Sequence, residues 1–283
     1  MSLTIPSTAT EQRQFQARNN LRATMTAFWA TARRDLLVSR REALLNLVQM
    51  LAQPLFFLFV FGKILPTTGA ADAGFSTLLL PGIVAFTILV TTLQGPSVDL
   101  ARDLAVLREI DDRLLAPQPI LLVAIEKVLL SALRGLVAGA LVFPMAWWIL
   151  GSDFQVSTDH LATLIGLMVL EALVGAALGL LMATVAQIHM LPLVFALVLT
   201  PLIFTGCAFF PWSSLSGFKW FQVLTLFNPL TYASEGMRYA MIPAMNGQAP
   251  DTLAIGWVLL ALSGTFVISL IAGLLSFRRR VVS

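Results

Sequence analysis

The chain has 283 residues, 58% of them hydrophobic and 12% charged, with a mean hydropathy of +0.85 and a formal net charge of +3. A soluble domain carries about 25% charged residues, so this composition excludes an ordinary water-soluble globule and points to lipid as the main solvent. The single cysteine, Cys207, excludes an intrachain disulfide framework.

In chain order, residues 1–20 are a polar cytoplasmic tail. Residues 21–43 place Leu21, Met25, Phe28, Trp29, Ala32 and Leu36 at helical spacing, with Arg22, Arg33, Arg34, Asp35 and Arg40 on much of the remainder. That pattern predicts an amphipathic helix lying in the membrane interface. A spanning helix needs about 20 apolar residues. Six segments qualify: 44–65, 77–97, 121–150, 160–187, 190–210 and 253–276. The fourth and fifth are joined only by Gln187–Ile188–His189–Met190, which predicts an antiparallel hairpin.

The predicted fold is therefore all-α: a polytopic membrane protein of six transmembrane helices over 44–276, with an N-terminal interfacial helix and a basic tail at 277–283. Fourteen of the eighteen Lys and Arg residues lie before residue 44, between spans two and three (Lys127 counted with that loop) or at 278–280, which predicts cytoplasmic N- and C-termini.

Residues 98–117 read as one cytoplasmic helix capped by Ser97 and stopped before Pro117. Leu100, Leu104, Leu107 and Leu114 form an apolar edge, while Arg102, Arg108 and Arg113 alternate with acids that include Glu109, Asp111 and Asp112. A charged amphipathic helix tethered between two spans suits force transmission from a soluble partner. The outer loop, 211–252, reads as a helical hairpin dipping into the interface. In it Pro211 leads an aromatic run, and Asn228–Pro229 is a helix-start pair followed by Tyr232 and Arg238.

Within the spans, Asn46, Gln49 and Gln53 form a polar stripe continuing through Phe56, and must face protein or a water-filled path. Thr87 and Thr91 in the second span, and Thr200 and Thr205 in the fifth, are further path candidates. Singly, each hydroxyl more often bonds its own preceding carbonyl. Arg134 and Glu171 stand near mid-depth in spans three and four. They are read as an ion pair locking two helices, against Arg134 snorkelling alone or a substrate or proton site. Gly135–x–x–x–Gly139 and Gly175–x–x–x–Gly179 predict close packing of those same two helices. No metal-ligand cluster, Gly-x-Ser-x-Gly elbow or Walker A loop occurs in the sequence, which predicts no catalysis, metal or cofactor in this chain.

The amphipathic N-terminal helix, the six spans, the Arg108–Glu109…Asp112–Arg113–Leu114–Leu115–Ala116–Pro117 segment and the Pro211…Asn228–Pro229–Leu230–Thr231–Tyr232…Arg238 order together resemble the type-2 ABC transporter permeases. These are the membrane subunits of bacterial drug, lipid and polysaccharide exporters. The chain departs from them at Ile110–Asp111, where many members carry a Gly-Thr or Gly-Ser pair. The resemblance implies a permease in the inner membrane, dimeric as a homodimer or heterodimer, each half docking one separate ATPase that binds ATP and Mg, with no nucleic acid partner. It makes 98–117 the coupling helix. It also makes spans one, two and five the pathway walls, with Phe56, Phe57, Phe86 and Phe204 lining a greasy path. That path suits an amphipathic drug-like or lipid-like substrate; a polysaccharide or lipo-oligosaccharide is the alternative within the class, and a proton-coupled carrier using Glu171 lies outside it.

Overall fold

A computed structural model describes residues 43–70, 74–105, 120–151, 154–186, 190–243 and 250–282, with scattered residues between 25 and 37. Those scattered residues are helical, and Met25, Trp29 and Leu37 are exposed among them. The described chain is helical and contains no strand. The long helices are α1 (Ala43–Phe57), α2 (Phe75–Ala105), α3 (Ile120–Leu150), α4 (Leu161–Val185), α5 (Leu191–Thr205) and α8 (Ile255–Val282). Between α5 and α8 stand a 3₁₀ turn (Trp212–Gly217), α6 (Lys219–Thr225) and α7 (Pro229–Met241).

Among the described residues five helices are long and apolar enough to cross a membrane: α1 with its extension, α2, α3, α4 and α8. The expected fifth span, 190–210, is shorter. Its helix has 15 residues, about 22 Å at 1.5 Å per residue, against a hydrocarbon core of about 30 Å. Thr205 ends it, and a turn at 206–209 carries the chain on.

α2 is the central helix, packed by α4, α3, α7 and α1, and it is buried over most of its spanning length. It contains Pro81 and Pro96 without breaking. Pro96 has no N–H to give the carbonyl of Thr92 four residues earlier. Ser131 of α3 supplies the missing donor, its Oγ lying 2.9 Å from Thr92 O. Neighbouring hydroxyls thus repair the ladder, as lipid cannot.

Both glycine pairs turn toward α2 rather than toward each other. A Cβ on Gly135 would strike Thr92 and one on Gly139 would strike Ile88; on Gly175 it would meet Thr92, and on Gly179 the Leu93 backbone. The expectation that they join spans three and four directly is corrected: α3 and α4 flank α2, and the small residues let both approach it closely. Ser97 is likewise not a helix cap. α2 runs on through it to Ala105, and its Oγ lies 2.9 Å from Gly179 O on α4.

The predicted hairpin of spans four and five does not form. α5 packs on α2 and α7 instead of α4, and only Leu191 and Leu202 are buried along it. A short connection fixes chain proximity but not the angle at which the next helix leaves.

Candidate functional site

The expected pathway residues divide by accessibility. On α1, Gln53 and Phe56 are exposed; the side chains of Asn46 and Gln49 lie outside the described residues. On α5, Thr200 and Phe204 are exposed, and Phe204 retains 64% of its surface. These four leave apolar rings and polar points exposed on two helices of one protomer. Thr200 Oγ1 bonds Ala196 O at 2.8 Å, the local pattern expected of a hydroxyl in an apolar helix.

Phe86, Thr87 and Thr91 lie elsewhere, inside the protomer. All three are buried in the protomer, and Thr87 Oγ1 donates to Ile83 O at 2.7 Å. α2 is enclosed by neighbours, so its polar groups are satisfied inside the bundle. Phe57 is half-buried, in ring contact with Phe61 (6.1 Å), Phe86 (6.0 Å) and Phe209 (5.2 Å). The α-helix gives way there to a π-helix, Leu58–Ile64, closed by Leu65 N–H on Val60 O, and then to a last turn at Leu65–Thr67. Such wide turns cost hydrogen-bond geometry and concentrate at functional sites.

The outer segment forms a hydrogen-bonded hub. Asn228 caps α7, its Oδ1 accepting from Leu230 N–H at 2.9 Å, with Pro229 at the first turn as expected. The same side chain reaches α5: its Nδ2 donates to Leu202 O (2.8 Å) and Thr205 Oγ1 (2.9 Å). One and two turns on, Thr231 Oγ1 lies 3.1 Å from Thr205 O, and Ser234 Oγ donates to Gly206 O at 3.2 Å. Arg238 completes the stripe. Its Nη2 donates to Cys207 O (2.6 Å) and Ala208 O (3.1 Å), and its Nε to Leu78 O on α2 (3.2 Å). A three- and four-residue rhythm on α7 thus satisfies the carbonyls that α5 leaves open at its end.

Arg238 was legible as a motif residue; its partner, Glu235, was not. Both are fully enclosed, and Nη1 meets Glu235 Oε1 at 2.8 Å. Glu235 also accepts from Trp212 N–H (2.9 Å) and Leu253 N–H (3.4 Å), so one carboxylate gathers the 3₁₀ turn, α7 and the approach to α8. Burial lowers the Arg238 pKa from its ordinary value, and the Glu235 charge opposes that shift. Tyr232 on the same helix is half-buried. Pro211 is extended and starts the 3₁₀ turn, which Trp212 and Gln222 cross-link to α6 by two 3.2 Å bonds.

The expected Arg134–Glu171 pair is not formed. Both Glu171 carboxyl oxygens are buried without a hydrogen-bond partner. The facing of the two helices accounts for this. Gly135 faces α2, and one residue is about 100° around a helix, so Arg134 sits on the flank of α3, half-exposed. Glu171 lies wholly inside. At the other end of α3, Glu126 and Lys127 are also buried, a polar cluster hidden from the sequence because Lys127 read as a face marker.

Of the proposed coupling residues, Arg102 falls on the last turns of α2, its side chain undescribed. Leu107, Arg108, Glu109, Asp111, Asp112 and Arg113 lie outside the described residues. Among the described residues no group of His, Cys, Asp and Glu could hold a metal ion.

A helical bundle with several helices long and apolar enough to span, packed about a central helix, defines a multi-pass membrane protein. The family model described as ABC-2 type transporter matches residues 26–242. The chain belongs to that family, as a membrane subunit whose working partner is an ABC ATPase. No curated protein matches the chain.

Proposed function

We propose that this chain is the inner-membrane permease of an ABC exporter that moves an amphipathic drug-like or lipid-like molecule out of the cytoplasm or inner leaflet. Two copies of the permease, each docked to one copy of a separate ATPase, make the working unit, and the termini lie in the cytoplasm. The observation that carries this reading is the exposure of mixed apolar and polar side chains on α1 and α5. Gln53, Phe56, Thr200 and Phe204 are exposed in one protomer, whereas α2 is enclosed by its neighbours. Side chains that need hydrogen bonds do not face lipid at little cost. A second permease opposite them would enclose them in a passage, largely apolar with few polar points, as amphiphile sites are.

ATP and Mg belong to the ATPase in this scheme, and the 98–117 segment transmits its stroke. The test is reconstitution of permease and ATPase together in liposomes. ATP-driven movement of a fluorescent phospholipid or a hydrophobic dye is expected, weakened by Gln53→Leu and Phe204→Ala. Movement of a soluble oligosaccharide instead, with both amphiphiles left in place, would assign the chain to the polysaccharide branch.

A further inference from the structure

The turn that follows α5 is strained, held and wedged. Cys207 has φ of 51°, in the left-handed region, and no other non-glycine residue among those described has a positive φ. A side chain there is unfavourable and persists only where surroundings enforce it, a condition that concentrates at switches. Three contacts enforce it here. Arg238 holds the Cys207 and Ala208 carbonyls. Gly82 on α2 leaves room for the Ala208 carbonyl, which any Cβ there would strike. Phe209 then places its ring 5.2 Å from Phe57 and 5.5 Å from Phe61.

Those two rings bracket the start of the π-helix of α1. A π segment closes its hydrogen bonds one residue further along than an α-helix, so its conversion shifts the register of everything beyond it. α5, on the other side of the turn, packs on few neighbours and exposes most of its length. The turn therefore links the end of α5 to the π-helical part of α1, and the contacts it makes on α1 are aromatic.

We propose that residues 206–209 are an outer latch: Arg238 holds the strained turn closed, Phe209 engages the π-helical part of α1, and both let go together when the outer end opens for release. In this scheme Arg238 and Phe209 are positioning residues that touch no substrate. The proposal rests on the export reading only where turnover is concerned.

Cys207 is the only cysteine of the chain and is buried, so it reports the latch directly. The experiment measures labelling by a membrane-impermeant maleimide on the permease–ATPase complex in nanodiscs, with a detergent-denatured sample giving the full one-thiol signal. The resting wild type labels slowly. Phe209→Ala labels at least about tenfold faster, since local opening governs access to a buried group, and ATP turnover accelerates labelling of the wild type. Phe57→Ala removes the same contact from α1 if Phe209→Ala does not fold. Cys207→Gly, which tolerates the positive φ, raises the thermal midpoint and slows export; a turn that is merely structural would give the first without the second. Equal labelling of a folded Phe209→Ala and the wild type, with no change on turnover, would overturn the latch. A complex that hydrolyses no ATP would count against the export reading instead, and the labelling of the resting variants would still decide the latch.

Discussion

Truncation of Glu235 tests the hub most severely. Glu235→Ala strands the Arg238 guanidinium in a fully enclosed site and leaves the Trp212 N–H, bonded at 2.9 Å, without its acceptor. Breaking one side of a buried ion pair costs about 3–5 kcal/mol, because the remaining charge stays desolvated. For a chain of this size each kcal/mol is about 2–4 °C in thermal midpoint, so the expected fall is about 6–20 °C. Arg238→Met opens the complementary leg of a double-mutant cycle: it leaves Glu235 unpaired and frees the Cys207 and Ala208 carbonyls. Glu235→Ala with Arg238→Met closes the cycle and removes both charges together. Residues in one network do not add, and a coupling of about 1–3 kcal/mol is expected. The assay is tryptophan-fluorescence unfolding of the purified permease in one detergent at one protein concentration. A fall under about 2 °C for Glu235→Ala, or single effects that sum to the double, would refute the claim that the pair is buried and coupled.

Three further outcomes follow from the packing. Gly82→Ala places a Cβ against the backbone carbonyl of Ala208, which cannot swing aside as a side chain does, and lowers the midpoint by at least the cost of overpacking, about 1–3 kcal/mol. Ser131→Ala removes the donor that serves the Thr92 carbonyl below Pro96 and costs about 1 kcal/mol, read as a fall of about 2–4 °C; Pro96→Ala in the same background recovers part of it. Glu171→Met removes a buried carboxyl that accepts no hydrogen bond and keeps a similar volume, so the midpoint rises and export is retained. Export abolished by Glu171→Met in a well-folded protein would show that the residue acts in transport.

The spans were legible because length and apolarity are local properties. Their arrangement was not. α8 is as apolar as α2, yet α2 is enclosed by helices and α8 is largely open. Lipid tails and protein interior are equally apolar, so hydropathy does not distinguish them. The Asn228–Pro229 start was legible for the same reason of locality: a cap and its first turn are neighbours in sequence. Glu235 was missed because its partners are the N–H groups of Trp212 and Leu253 and one arginine, and backbone groups leave no trace in residue identity. A carboxylate one turn before a motif arginine was the available signal. The Arg134–Glu171 expectation failed because it took no account of which way each helix faces. Depth follows from counting residues, whereas the facing of α3 is set by glycines packing on α2.

The central claim is that this chain conducts and a separate ATPase drives. The direct measurement compares ATP hydrolysis and amphiphile movement in liposomes holding the permease alone, the ATPase alone, and both. The account predicts no hydrolysis by the permease alone and substrate movement only when both are present with ATP and Mg. Hydrolysis by the purified permease, or substrate movement by it without the ATPase, would contradict it.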